Sequence, residues 1–249
     1  MMNPAEFANI AKAEQQLWWY RGMNRIMFRL LDPIASQQKF KRVLEAGCGT
    51  GYLSKLLGER YGWAMVPVDL GWEGLAYAKE MGVPRLSQAD ISALPFADAS
   101  FDAIVSMDVL VHFPRGREQE AMAEMTRVLQ SGGLFAIRVS ALDILRSRHS
   151  QFAHERQRFT RTRLMSLAES CGIRVERCTY ANTLLMPVAL AKFRIVEPLL
   201  NKPPASGVEP VHPALDAALH VPLALEAGWL GSGGNLPIGQ SLILIGRKA

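Results

Sequence analysis

Apolar residues recur along the chain in two rhythms. Over residues 5–31, Leu17, Trp18, Tyr20, Ile26, Met27, Leu30 and Leu31 fall at roughly helical spacing, which predicts one or two helices stopped by Asp32-Pro33. Beyond Lys41, short apolar runs alternate with longer amphipathic stretches. Residues 42–46, 63–68, 85–89, 103–107, 133–139, 174–179 and 241–247 read as strands, and 52–60, 72–81, 116–129 and 161–170 as helices. Strand-helix alternation of this kind means βαβ units and a parallel sheet covered on both faces. Two segments stand outside the alternation. One is a basic stretch over 142–163; the other is 181–239, apolar, punctuated by proline and carrying a Gly-Ser-Gly-Gly turn at 231–234.

Composition narrows the class. At 249 residues, 49% hydrophobic and 20% charged, the chain has the length of one large α/β domain or two small ones, which excludes a disordered, collagen-like or disulfide-scaffold protein. The formal charge of +5 permits an acidic substrate or a polyanion and demands neither. Cys48, Cys171 and Cys178 form no CxxC pair and no metal-ligand cluster, so free thiols in a reducing compartment and no metal are expected. The amino-terminal residues lack a basic start followed by an apolar stretch, so no signal peptide is expected. The longest uncharged run, 227–246, is broken by six glycines and a proline and is no membrane span, and a cytoplasmic location follows as the expectation.

The chemistry concentrates at VLEAGCGTG over 43–51. A strand ends at Ala46 and a helix begins near Tyr52, which puts the loop at the carboxyl edge of the sheet, where open α/β sheets bind ligands. Glycines at 47, 49 and 51 let the backbone turn tightly and let a ligand approach. The spacing is GxGxG, not the dinucleotide GxGxxG, and the Lys of a phosphate loop is missing. The loop follows Glu45 and holds no basic residue from Val43 to Ser54, so a neutral or cationic ligand is expected. Asp69 ends the next strand eighteen residues after Gly51, the place for a carboxylate that grips a ribose diol. Asp90 ends the third strand, where it can accept from an exocyclic adenine amine while Ile91 packs on the ring. Taken alone, Asp69 and Asp90 read equally well as cap or turn residues.

VLEAGCGTG at 43–51, VD at 68–69, QADISALPFADASFDAIVSMDVLVHF at 88–113 and EMTRVLQSGGLFAI at 124–137 together resemble the class I S-adenosylmethionine-dependent methyltransferases. Within them the chain looks like the small-molecule, methyltransferase type 11-like branch. The resemblance covers about residues 40–140. It implies a Rossmann-like, doubly wound, mostly parallel seven-stranded sheet with helices on both faces and an antiparallel last strand. It implies S-adenosylmethionine as cofactor and S-adenosylhomocysteine as product. Gly47, Cys48, Gly49 and Gly51 would shape the loop around the methionine part, and Glu45 would face its ammonium. Asp69 would hold the ribose, with Leu70 beside it where many relatives carry a small polar residue. Asp90 and Ile91 would hold the adenine, and Ser106, Met107 and Asp108 would line the floor under the sulfonium. Residues 1–40 would form a helical cap, 41–180 with 240–249 the cofactor-binding core, and 181–239 a helical insertion shaping the acceptor pocket.

Methyl transfer by in-line displacement needs alignment and water exclusion, and a base where the acceptor carries a proton. His112 and His154 are the candidate catalytic bases, each also readable as a satisfied or surface histidine. In the cap, Tyr20 and Arg21 are candidate cofactor contacts, Arg21 by pairing with a carboxylate; Trp18 and Trp19 read equally as packing residues. The arginines at 138, 146, 148, 156, 158, 161 and 163 read as solvated helix faces or as a patch for phosphate, carboxylate or RNA. The expected function is methyl transfer to an oxygen or nitrogen of a small-molecule substrate. The alternatives are an RNA or other nucleic-acid methyltransferase, and a non-catalytic binding protein on the same fold. With no aromatic-interleaved basic platform in the sequence, nucleic acid is not the expected partner.

Overall fold

The computed structural model describes residues 2–201 and 203–249; Met1 and Lys202, which fall in the expected cap and insertion, lie outside the described residues. Two helices, α1 (Pro4–Ala13) and α2 (Trp18–Gln37), precede the sheet. The core then runs β1 (Arg42–Ala46), α3 (Tyr52–Tyr61), β2 (Ala64–Asp69), α4 (Trp72–Glu80), β3 (Ser87–Gln88), β4 (Phe101–Met107), α5 (Glu118–Val128) and β5 (Leu129–Ser140). A short helix α6 (Arg148–Phe152), α7 (Arg161–Ser170) and β6 (Ile173–Ala181) follow. Between β6 and β7 (Ser241–Lys248) lie α8 (Met186–Ala191), a π-helical turn (Lys192–Val196), α9 (Glu197–Leu200) and α10 (Pro213–Gly231).

The seven strands form one sheet in the order β3-β2-β1-β4-β5-β7-β6. Pairs among β1 to β5 are parallel, whereas β7 runs antiparallel to both β5 and β6. Alternation along each strand explains why both faces are covered. Leu44, Ala46, Val66, Val68, Ile104, Phe135, Leu242 and Leu244 face one buried cluster, packed by Ala121, Met122 and Met125 of α5 and Leu164 of α7. Their neighbours Val43, Met65, Ala103, Val105, Leu134, Ala136, Ile243 and Ile245 face the other, packed by Met23, Ile26, Met27 and Leu30 of α2 and Leu223, Ala227 and Leu230 of α10. The chain winds from β1 to β2 on one side and returns to β4 on the other. That switch point opens a crevice at the carboxyl ends of β1 and β4.

Three elements differ most from the sequence expectation. The strand expected at 133–139 begins already at Leu129, which pairs with Phe101 of β4, so α5 ends at Val128. The helix does not stop at Asp32-Pro33 but carries Pro33 inside it to Gln37. Arg60 and Tyr61 both donate to the Asp32 carboxylate, and Ile34 and Ala35 pack on the second cluster, so tertiary contacts hold the last turn across the missing backbone bond. The third strand shrinks from 85–89 to Ser87–Gln88 because Arg85 turns left-handed at φ +57 and only two residues pair with β2.

The α2–α10 crossing decides what covers the sheet edge. A Cβ on Gly22 would lie 2.4 Å from Leu223 Cδ1, so the Leu223 side chain packs directly on the α2 backbone where a larger residue would block it. Asp216 of α10 accepts from the Trp18 backbone N–H at 2.7 Å and pairs with Arg21. Helix α1 is tied in separately, with Phe7 against the ideal Cβ positions of Gly71 and Gly74, and Asn3 donating to the Phe152 carbonyl at 3.0 Å. Among the described residues, no helix is long and apolar enough to cross a membrane.

Candidate active site

The glycine loop folds back over β2: the N–H groups of Gly47 and Cys48 both donate to the Val68 carbonyl, at 2.9 and 2.8 Å. Gly47 sits at φ +84, and a Cβ there would lie 2.2 Å from Val109 Cγ2, so both dihedral and space require glycine. The Gly49 N–H donates to Asp69 Oδ2 at 2.8 Å. Glu45 is buried, and Ser54 in the first turn of α3 donates to its Oε2. Burial, with Asp69 and Glu14 nearby, pushes the Glu45 carboxyl up to about 8.

Asp69 is also held at its other oxygen, which accepts from the Gly71 N–H at 2.7 Å. Burial raises its pKa against the opposing effect of those backbone donors. Each of its oxygens keeps a second lone pair for a further donor. Asp90 accepts from the Ser92 N–H and hydroxyl through Oδ1 alone, at 2.9 and 2.7 Å, leaving Oδ2 free of both. Ile91 beside it is buried.

At the far end of the crevice Asp108 takes the left-handed conformation at φ +59 and receives Arg138 Nε at 2.9 Å. The Arg138 guanidinium lies over the Trp19 ring, 5.0 Å from its centroid, and Trp19 meets Tyr20 edge to face at 5.0 Å. His112 approaches the His154 carbonyl through Nδ1 at 3.3 Å. A carbonyl only accepts, so this contact needs the proton on Nδ1 and leaves Nε2 as the basic nitrogen. Burial lowers the His112 pKa below the ordinary histidine value, which keeps the ring neutral at neutral pH.

These groups share one cavity of about 900 Å³, near the upper end for small-molecule sites. Tyr20, Glu45, Gly47, Cys48, Gly49, Asp69, Leu70, Asp90, Ile91, Met107, Asp108 and His112 all line it. Four expected residues stand elsewhere. Arg21 points away to Asp216. Gly51 starts α3 and faces Ala78. Ser106 spends its hydroxyl on the Ala46 carbonyl at 2.6 Å, tying β4 to β1. The His154 residue is exposed and contributes its carbonyl rather than its imidazole. Among the described residues no group of three or more His, Cys, Asp or Glu side chains is placed to hold a metal ion.

The insertion supplies the remaining wall, with Leu185, Val188, Phe193, Val211, Leu215 and Leu219 lining the same cavity. The arginine-rich stretch is divided: Arg138, Arg158 and Arg163 form ion pairs and Arg148 donates to the Pro203 carbonyl, whereas Arg146, Arg156 and Arg161 are exposed, Arg146 donating to the Glu155 carbonyl. Arg156 lines the cavity.

Sequence reasoning missed Glu14. It is 4% exposed, lines the cavity and accepts from the Thr50 hydroxyl, yet its Oε1 is buried without a partner among the described residues. An unmet buried acceptor of this kind costs roughly 1–3 kcal/mol. Burial pushes its carboxyl up to about 7. The available signal was helical phase, since Phe7, Ile10 and Glu14 fall on one face and all line the cavity.

Residues 44–137 match the family described as methyltransferase domain. Among curated proteins, the chain is 33% identical over 130 residues to the malonyl-[acyl-carrier protein] O-methyltransferase of Enterobacter lignolyticus, covering 51% of each chain. It is 30% identical over 100 residues to the 2-methyl-6-phytyl-1,4-hydroquinone methyltransferase of Synechocystis, covering 38% of this chain and 30% of that one. The chain thus spans about half the length, or less, of these curated relatives. Among solved structures, phosphoethanolamine N-methyltransferase 2 of Haemonchus contortus, in complex with S-adenosyl-L-methionine, superposes with a TM-score of 0.58 at 17% identity, over 92% of this chain and 52% of that one. At that identity the likeness concerns the fold.

Proposed function

The chain carries a class I S-adenosylmethionine-dependent methyltransferase domain of the type 11-like branch, and from that premise we propose that it methylates an oxygen or nitrogen of a small-molecule acceptor. The observation that carries this reading is the continuity of the cavity. Its inner end has a glycine-rich loop and, near the ends of three successive strands, the acids Glu45, Asp69 and Asp90; its outer end is an apolar wall from the insertion.

The residues fit the cofactor. A compact acidic and hydroxyl-accepting site without a basic side chain in its loop suits an adenosyl sulfonium better than a phosphate. Gly47, Cys48 and Gly49 would border the methionine part near Glu45. Asp69 would accept from the ribose hydroxyls, and Asp90 Oδ2 from the adenine amine above Ile91. S-adenosylmethionine, when bound, supplies a methyl group already activated on a sulfonium. The protein's own work is then to orient the acceptor, exclude water and take up a proton. Met107 and Tyr20 border the space between the glycine loop and the insertion. Arg138 is neutralised by Asp108 and stacked on the Trp19 ring, so it braces the floor without presenting an open charge. His112, neutral and with Nε2 basic, would accept the acceptor's proton.

In this reading residues 1–40 act as a cap, 41–180 with 240–249 as the core, and 181–239 as the acceptor-pocket insertion. Relatives named as an O-methyltransferase and a hydroquinone methyltransferase support an oxygen or small-molecule acceptor. The ion pairs of Arg138, Arg158 and Arg163 leave fewer free cations for a nucleic-acid partner, which supports the small-molecule reading. Incubation with methyl-labelled S-adenosylmethionine and separate small-molecule and RNA fractions tests the choice. Label is expected in the small-molecule fraction; label confined to RNA would overturn it.

A further inference from the structure

The cavity wall beside the glycine loop is more acidic than the loop alone requires. Glu14, the residue that ends α1, stands there with Glu45 as an electrostatic neighbour. The two carboxylates are not equivalent. Glu45 is engaged by Ser54 and so braces the loop against α3. Glu14 has Oε2 occupied by the Thr50 hydroxyl, whereas Oε1 is buried and has no donor among the described residues. The other titratable groups facing this pair are Tyr20, Tyr52, Cys48 and Asp69, with Glu6 acting on Tyr20 from α1, none of them a cation. Arg138 is the nearest guanidinium acting on Tyr20, and Asp108 already holds it.

A buried carboxylate with one uncommitted oxygen calls for a compact cation that can donate hydrogen bonds. A sulfonium has a charge but no N–H. A primary ammonium has three donors and can serve two carboxylates and a loop carbonyl at once. The broad torsion about the terminal bond of glutamate lets either oxygen turn to meet it. We propose that Glu14, reaching in from the amino-terminal cap, receives the α-ammonium of S-adenosylmethionine and fixes the methionine end of the cofactor, with Glu45 in support. This rests on the reading of the cavity as the cofactor site. The raised carboxyl of Glu14 accords with it, because a site built for a cation is unfavourable to a carboxylate while that cation is missing. It also makes the cap part of the binding site rather than a cover laid over it.

The test compares two ligands that differ at the proposed contact: S-adenosylhomocysteine, which carries the ammonium, and 5′-methylthioadenosine, which keeps the adenosine and thioether but lacks the amino-acid end. Calorimetry is run on the full chain and on Glu14→Gln. The expected result is at least about a tenfold loss of S-adenosylhomocysteine affinity with that of methylthioadenosine unchanged. Equal losses for both ligands, or no loss for either, would overturn the assignment, the first because Glu14 would then only support the fold. If Glu14→Gln does not fold, Glu14→Asp keeps the charge on a shorter arm and should show a smaller loss that is again selective; a non-selective change overturns the proposal. Parent protein that binds neither ligand would instead refute the cofactor-site reading beneath it.

Discussion

His112 illustrates how much a single side chain depends on what surrounds it. Its Nδ1 is committed to the His154 carbonyl, so Nε2 is the nitrogen available to an acceptor. His112→Gln should lower methyl transfer by roughly 10²–10⁴-fold while leaving S-adenosylhomocysteine affinity intact, measured by initial rates and calorimetry. The pH dependence has a definite sign. Burial lowers the His112 pKa below 6.5, so the basic form survives as pH falls through 6.5 and is lost only below it. The rate should therefore hold through pH 6.5 and fall at more acid pH; an inflection at or above 6.5 would exclude His112 as the base. At this scale the sequence was partly legible. The loop, Asp69, Asp90 and Ile91 announce themselves because strand ends and turn glycines carry fixed spacing, and each lines the cavity. Arg21 and His154 did not behave as their chemistry suggested, since Asp216 lies 195 positions away along the chain and the left-handed turn at His154 presents its carbonyl. No local pattern encodes either event.

At the scale of elements, the glycine loop and the α2–α10 crossing carry the site. Gly47→Ala would combine a disfavoured positive φ with a clash against Val109, at a cost of roughly 2–5 kcal/mol, read as a lower urea midpoint with lost cofactor affinity. Asp216→Ala removes the acceptor from the first turn of α2 and the partner of Arg21. It should destabilise the protein by about 1 kcal/mol; an unchanged urea midpoint would mean the clamp contributes nothing. Most strands and helices follow from apolar periodicity, and 161–170 coincides with α7 to the residue. Helix α2 ran past its expected end because Asp32 gains Arg60 and Tyr61 as partners, and long-range partners of this kind override a local proline signal. The third strand fell short because an edge strand is defined by pairing, which periodicity over five residues does not report.

Across the whole molecule, three pieces far apart in sequence meet at one crevice. The sheet provides the acids at its strand ends, helices α1 and α2 bring Glu14 and Tyr20, and the segment between β6 and β7 adds the apolar wall. Asp216 of α10 is bonded to the first turn of α2, so the amino-terminal helices and the segment that supplies the apolar wall are joined directly. Ligand at a hundred times its Kd should then raise stability by about 2.7 kcal/mol. The central claim is that this cavity is an S-adenosyl cofactor site, and titration of the folded chain with S-adenosylhomocysteine in a calorimeter tests it most directly. Saturable binding of one ligand per chain is the predicted result; no heat of binding from a sample whose fold is verified would contradict it.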